Sequence, residues 1–204
     1  MTRIGILGGT YNPPHIGHMH AAQCARKALR LDRLFLIPAG IPPHKQLPEG
    51  SATTEQRIAM TRLAARDVPG AEVLTIEAER AGASYTVDTL SQLTAQHPDA
   101  KFFLIMGTDM LLSFDRWRQP ERIAAMCTLA VVARSERDRA AIAEKAWQLG
   151  KTMDAQIEII DCEALPMSST EIRASEENCR RMTAPQVFDY IKEKKLYFQG
   201  VPQC

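Results

Sequence analysis

The stretch RIGILGGTYNPPHIGHMHAAQCARKAL, residues 3–29, passes from an apolar run through a Gly-Gly-Thr turn and two prolines into a segment of helical composition. RIGIL (3–7) has the pattern of a strand buried on both faces, as strands of a parallel sheet are. The helix that follows, 16–30, carries His15 and His18 on its first turn, three positions apart and so on one face. Gly8 and Gly9 let the chain turn tightly and approach a ligand with no Cβ in the way. The first N–H groups of the helix, and its positive dipole end, face the same place. A strand leading through glycines into a helix tip is the opening unit of a parallel α/β sheet, and it already outlines an anion site.

The rest of the chain repeats that alternation. RLFLIP (33–38) reads as a strand, TEQRIAMTRLAAR (54–66) as a helix with Thr54 at its N-cap, and EVLTIE (72–77) as a strand. TVDTLSQLTAQH (86–97) is helical, and KFFLIMG (101–107) is the strongest strand signal of all. Helical stretches flank Trp117 and Pro120, TLAVVAR (128–134) is a strand, 136–149 a helix, IEII (157–160) the last strand and APQVFDYIKEKK (184–195) the final helix. This order predicts an α/β fold, a Rossmann-like doubly wound parallel sheet with helices on both faces. The expected organisation is one domain over 1–197, with a small helical subregion from about residue 165, and a tail over 198–204. Ligands of such folds sit beyond the carboxyl ends of the strands, and every candidate residue below follows a strand. PAGIPPHKQLPEG (38–50) is the one long loop, a common place for function.

Composition narrows the partners. With 204 residues, 45% hydrophobic, 24% charged and a net charge of +1, the chain has ordinary globular character and no global attraction to nucleic acid or an anionic membrane. The basic RRM at 180–182 lacks interleaved aromatics. No apolar run approaches the ~20 residues of a bilayer span. The N-terminal stretch enters a strand at once, without signal-peptide architecture, so the expected location is cytoplasmic. Five scattered cysteines with no Cys-x-x-Cys point to reduced thiols, away from a disulfide framework or zinc knuckle. Homo-oligomerisation is left open.

Two elements carry chemistry. Around His15 and His18, Gly17 leaves room for a bulky anion. A neutral imidazole donates through one nitrogen and a protonated one through both, so the pair can follow charge growing on phosphate oxygens. The same residues also fit zinc ligation with His20 close by, or a plain solvated helix start. However, the Glu of His-Glu-x-x-His and a matching Cys pair are missing. SSTEIR (168–173), after the last strand, offers hydroxyls that cap a helix and, in Arg173, a planar fork for phosphate. Taken alone it is equally a capping motif with a surface arginine.

GGTYNPPHIGH resembles the GGTFDPPHxGH signature of the nicotinate-mononucleotide adenylyltransferases, within the His-x-Gly-His nucleotidyltransferase superfamily, and MSSTEIR resembles that superfamily's ISSTxIR element. PAGIPPHK resembles the family's PPHK loop, SYTVDTL (84–90) its SYTxDTL element and GTDMLLSFDRW (107–117) its GxDxLxxFxxW element, so the likeness runs in order from residue 3 to about 197. Tyr11, Asn12, Met167 and the pair Ala39-Gly40 depart from the usual residues, which puts the role of Asn12 in question. The resemblance implies adenylyl transfer from ATP to nicotinate mononucleotide, giving nicotinate adenine dinucleotide and pyrophosphate, with Mg²⁺ carried on the phosphates rather than by protein ligands. It implies His15 and His18 as catalytic groups. It places Gly8, Gly9, Thr10, Gly107, Asp109, Ser168, Ser169, Thr170 and Arg173 around ATP. Asn12, Lys45, Ser84, Tyr85, Thr86, Trp117 and Arg134 fall to the mononucleotide. Among these, Trp117 is the platform for the pyridine ring, Lys45 and Arg134 meet the phosphate, and backbone N–H groups at Tyr85 and Thr86 meet the carboxylate. RIAM (57–60) reads as packing. Sister enzymes using nicotinamide mononucleotide or phosphopantetheine stay open, as does a non-catalytic nucleotide-binding regulator.

Overall fold

In the computed structural model, residues 1–43, 46–133, 136–162 and 165–198 are described. Six strands form one parallel sheet: β1 (Thr2–Gly9), β2 (Arg33–Pro38), β3 (Ala71–Val73), β4 (Ala100–Gly107), β5 (Thr128–Val132) and β6 (Ile157–Ile160). Their order across the sheet is β3-β2-β1-β4-β5-β6. The chain therefore winds outward from β1 in both directions, and the reversal between β1 and β4 opens a crevice at the carboxyl ends of those two strands.

Period-two alternation divides the core. Ile4, Ile6, Phe102, Leu104, Met106, Leu129 and Val131 point to one face, where they meet α3 (Thr86–Gln96), α5 (Pro120–Met126) and α6 (Glu136–Met153) through Leu90, Leu93, Ile123 and Ile142. Leu7, Leu34, Leu36, Phe103, Ile105 and Val132 point to the other. That face is covered by α1 (Ile16–Ala28), α2 (Thr54–Ala65), α8 (Glu176–Met182) and α9 (Pro185–Glu193), with Met19, Ala22, Met60, Val187 and Ile191 packed inward. A Cβ on Gly5 would run into Leu31 Cδ1, so β1 is smallest where the chain entering β2 crosses it. Between β4 and α5 lie α4 (Thr108–Leu112) and a 3₁₀ turn, Phe114–Arg116; α7 (Ser169–Arg173) precedes α8. No helix among the described residues is long and apolar enough to cross a membrane.

The fold class is as expected; several boundaries are not. EVLTIE does not extend to residue 77: after Leu74 N–H bonds Leu36 O at 3.0 Å, Thr75 O captures the N–H groups of Ala78 and Glu79 and the chain turns away. Thr53, not Thr54, caps α2, its hydroxyl accepting from Gln56 N–H at 3.3 Å. Helix α6 runs four residues past 149, and α8, absent from the sequence reading, starts where the Ser175 hydroxyl accepts from Asn178 N–H. Leu196, Tyr197 and Phe198 pack on the core, so core packing includes Phe198, the first residue of the expected tail. The expectation of reduced thiols is also corrected. Cys24 of α1 and Cys162, just after β6, form a disulfide across a separation of 138 residues, while Cys127 and Cys179 are free and buried.

Candidate active site

The chain leaves β1 through Gly8 and Gly9. A Cβ at Gly8 would meet nothing within 4 Å among the described residues, whereas one at Gly9 would press on the Tyr11 ring at 3.3 Å. Gly8 is thus the open side of the turn and Gly9 the packed side. Tyr11, 1% exposed and at φ 50°, hangs its hydroxyl on Leu7 O at 2.7 Å and turns the chain back under the helix tip.

At that tip the two imidazoles stack, with centroids 3.6 Å apart, and Tyr11 meets His18 edge-on at 5.0 Å. The backbone N–H of His15 donates to His18 Nδ1 at 3.2 Å. In neutral His18 the proton must then sit on Nε2, which leaves a single directed donor. Burial holds both rings neutral without a ligand. His15 falls to about 4 because its cation would be desolvated, and His18 falls well below its ordinary value through burial first and the neighbouring His15 second. His15 Nδ1 is buried with no hydrogen-bond partner among the described residues. An incoming anion would reverse both shifts, because it supplies the missing counter-charge.

Gly17 does something other than leave room for an anion. A Cβ there would lie 3.0 Å from Met167 Cγ and 3.1 Å from His15 Nδ1, and Gly17 N–H donates to Met167 Sδ at 3.2 Å. The missing side chain is the space through which the segment before α7 docks on α1. Ser169 then donates to Pro13 O at 2.9 Å, and Arg173 Nη1 to Asn12 O at 2.6 Å, while Thr170 accepts from Arg173 Nη2 at 3.3 Å. Ser168 caps α7, accepting from Glu171 N–H. The two elements that the sequence separates by some 150 positions therefore meet on the loop that carries the histidines.

Asn12 was expected to touch the mononucleotide, but its side chain is committed inside the protein. Nδ2 donates to Ser51 Oγ at 2.9 Å, and Oδ1 accepts from Tyr197 Oη at 2.8 Å and from Ala52 N–H at 3.3 Å. It staples the loop to two distant segments.

A residue read as packing proves central to the floor of the site. Arg57 of α2, wholly buried, donates to Thr10 O and Ala39 O at 2.7 Å each, to Gly40 O at 3.0 Å and to Thr54 Oγ1 at 2.9 Å. It ties the loop after β1 to the loop after β2. Ser84 extends the seam: its hydroxyl accepts from Gly40 N–H at 2.9 Å and its N–H donates to Ile41 O at 2.8 Å. Only the RIAM stretch pointed to Arg57, and an arginine on a helix gives no hint of converging carbonyls. A cavity of about 400 Å³ beside this seam is lined by Gly40, Ile41, Thr54, Ile58 and Arg80, among others, but by none of His15, His18, Ser168, Ser169, Thr170 and Arg173.

On the other side of the crevice, Tyr85 caps α3 and Thr86 opens it. Tyr85 N–H is engaged with Ala83 O at 3.1 Å, which removes it as a ligand donor; among the described residues, the first-turn N–H groups of Thr86 and Val87 have no acceptor. Trp117, partly buried, leans on Phe114 with centroids 5.4 Å apart, and Arg118 lies over the Tyr85 ring at 4.4 Å, joining the two segments. Gly107 ends β4 as the N-cap of α4, and Asp109 is exposed on that helix's first turn. Lys45 and Arg134 lie outside the described residues.

An open glycine turn, a directed imidazole pair and a docked hydroxyl–guanidinium helix, set at the switch point of a parallel sheet, define a nucleotidyltransferase. The cytidylyltransferase-like family model matches residues 6–175. The chain is 34% identical over 195 residues to a "Probable nicotinate-nucleotide adenylyltransferase" of Listeria monocytogenes, covering 96% of this chain and 97% of the relative. It is 37% identical over 212 residues to one of Citrifermentans bemidjiense, covering 96% and 98%. The chain belongs to the nicotinate-nucleotide adenylyltransferase family. Its fold also matches the Plasmodium falciparum nicotinic acid mononucleotide adenylyltransferase, solved with APC and with NaAD, at a TM-score of 0.77 and 16% identity over 97% of this chain and 98% of that one.

Proposed function

We propose that this protein transfers the adenylyl group of ATP to nicotinate mononucleotide, releasing pyrophosphate and forming nicotinate adenine dinucleotide. The observation that carries the reading is the docking of Ser169 and Arg173 onto Pro13 and Asn12, beside the stacked histidines. Donors for a triphosphate are thereby gathered from both ends of the chain.

The acceptor phosphomonoester has a second pKa of about 6 and arrives largely ionised. It needs no general base to attack the α-phosphorus, and the site accordingly presents donors rather than a nucleophile–base pair. His18 Nε2–H donates to the α-phosphate, where its fixed direction spares reorganisation as charge moves toward the leaving group. His15, stacked on it, gains a partner for its orphan nitrogen from the same phosphate chain. Ser168, Ser169, Thr170 and Arg173 hold the β- and γ-phosphates, and Gly8 to Thr10 supply close main-chain approach. Trp117 stacks on the pyridine ring while Thr86 and Val87 N–H groups meet its carboxylate; Lys45 and Arg134 remain proposed contacts of the acceptor phosphate. The donor set of imidazoles and hydroxyls suits Mg²⁺ carried by the phosphates and water. When bound it would neutralise charge on the pyrophosphate. We also place the protein in the cytoplasm as one catalytic domain.

Pyrophosphate release with nicotinate and nicotinamide mononucleotides in competition tests the substrate; preference for the amide defeats the assignment. His18→Ala should lower kcat at least ~10²-fold with a small change in ATP affinity, the usual cost of a transition-state donor. Unchanged turnover removes His18 from the mechanism.

A further inference from the structure

On the same helix as the catalytic pair, but a turn further on, a second group of chemistry-bearing side chains has no part in adenylyl transfer. His20 and Cys24 lie four residues apart on one face of α1, and Cys162 reaches them from the far end of β6. Their ligand atoms all fall within 4.8 Å of one another, and all three residues are partly buried. His20 Nε2 stands 3.3 Å from Cys162 Sγ and 3.6 Å from Cys24 Sγ.

A disulfide that served only as a staple would need no imidazole converging on both of its sulfurs. A tetrahedral Zn²⁺, with bonds of about 2.3 Å to sulfur and 2.0–2.1 Å to nitrogen, holds its nitrogen and sulfur ligands about 3.5 Å apart. The two observed nitrogen–sulfur distances bracket that value. The Cα atoms of the cysteines are 6.1 Å apart, so the freed thiolates can part by side-chain rotation while the backbone stays in place. We propose that in its dithiol state this cluster is a Zn²⁺ site, with His20, Cys24 and Cys162 as three ligands and a fourth position for water. The thiolate pair selects a borderline-soft metal over Mg²⁺. Bound metal would cross-link the helix bearing His15 and His18 to the segment leading into Ser168, a bond the disulfide makes covalently. The two states exclude one another, since the sulfur lone pairs that bind metal belong to sulfurs that the disulfide joins.

The test uses the full-length chain. A water-soluble phosphine cleaves the S–S bond: phosphorus is oxidised to its oxide with oxygen from water, each sulfur gains a proton, and both protons leave as metal binds. Reduced, metal-free protein is titrated anaerobically with Co²⁺ and then Zn²⁺. The expected result is one equivalent of Co²⁺ bound with a thiolate-to-cobalt charge-transfer band, displaced by Zn²⁺ and absent from the same protein before reduction. Cys24→Ser and Cys162→Ser should each abolish the band. His20→Ala should weaken binding by more than the ~10–100-fold typical of losing a mere supporting contact to a ligand. A reduced protein with both thiols titratable but no charge-transfer band, or a band that survives Cys24→Ser, overturns the proposal. The comparison of one protein before and after reduction holds even if a variant folds poorly.

Discussion

Replacing Arg57 by Met tests whether the floor of the site is built as described. The substitution keeps much of the buried stem and removes a guanidinium that serves three main-chain carbonyls and one hydroxyl. Each buried acceptor left without a donor costs roughly 1–3 kcal/mol. The Thr10 and Gly40 ends are partly accessible, so water can relieve them and their cost falls at the low end. Removing a cation whose burial lowers its own pKa returns part of the loss. The net expectation is a destabilisation of about 3 kcal/mol. Arg57→Lys should recover less than half of it, because one ammonium cannot span carbonyls that a planar fork reaches together. Urea unfolding measures the stability, and initial rates with each substrate varied in turn measure the site. KM should rise for both substrates, since Arg57 joins loops after β1 and after β2. A Met variant within about 1 kcal/mol of the parent would refute the energetic argument. Lost stability with unchanged KM values would show that Arg57 supports the core and not the site.

Gly17→Ala sets a gain in helix propensity of up to about 1 kcal/mol against a Cβ 3.0 Å from flexible Met167 and 3.1 Å from the His15 ring. Thermal stability should change little while kcat falls at least ~10-fold; parental kcat would mean that the ring position is not critical. For His15, burial places the folded-state pKa at about 4, below its ordinary 6.5. The unfolded chain therefore binds more protons between those values, and stability contributed by neutral His15 is lost as pH falls from 6.5 toward 4. His15→Asn should flatten the stability–pH curve there by up to about 1.4 kcal/mol per pH unit, measured by unfolding at several pH values without ligand; parallel curves would contradict the burial argument. Trp117→Ala should raise KM for the mononucleotide ~10–100-fold, the size of one lost stacking contact, and leave KM for ATP near its parental value. An effect on ATP alone would move Trp117 to the other substrate.

The sheet was legible because its strands are buried on both faces, so that runs such as KFFLIMG fill two cores by simple alternation. Where one element ends was less legible, since EVLTIE keeps alternating past the point where Thr75 O begins to collect turn hydrogen bonds. Helix α8 hid because it buries only Cys179 and Met182 and depends on its Ser175 cap. At the site, the histidines and SSTEIR could be read from residue type and from their places after strands. What escaped were long-range relations: carbonyls converging on Arg57, Met167 filling the space of Gly17, Tyr197 holding Asn12, and Cys162 meeting Cys24. None has a local signature, because each partner is ordinary in its own stretch.

These long-range relations also explain why the site must sit where it does. The outward winding from β1 sends α1 to one face of the sheet, whereas α3, entered from the loop after β3, and the segment after β4 with Leu111 and Phe114 pack on the other. The histidines and Arg173 gather on the turn after β1, Tyr85 comes from the loop after β3 and Trp117 from the segment after β4; Arg118 over Tyr85 joins the last two, and the Arg57–Gly40–Ser84 seam ties them to the turn after β1. On the function proposed above, a donor nucleotide on one side and an acceptor on the other meet over Gly8, where an added Cβ would find nothing within 4 Å among the described residues. Chemistry that relies on placement in this way is sensitive to whatever fixes the angle between α1 and the segment carrying Ser168. Arg173 and Gly17 both act on that docking, so their substitution should lower turnover before it unfolds the chain.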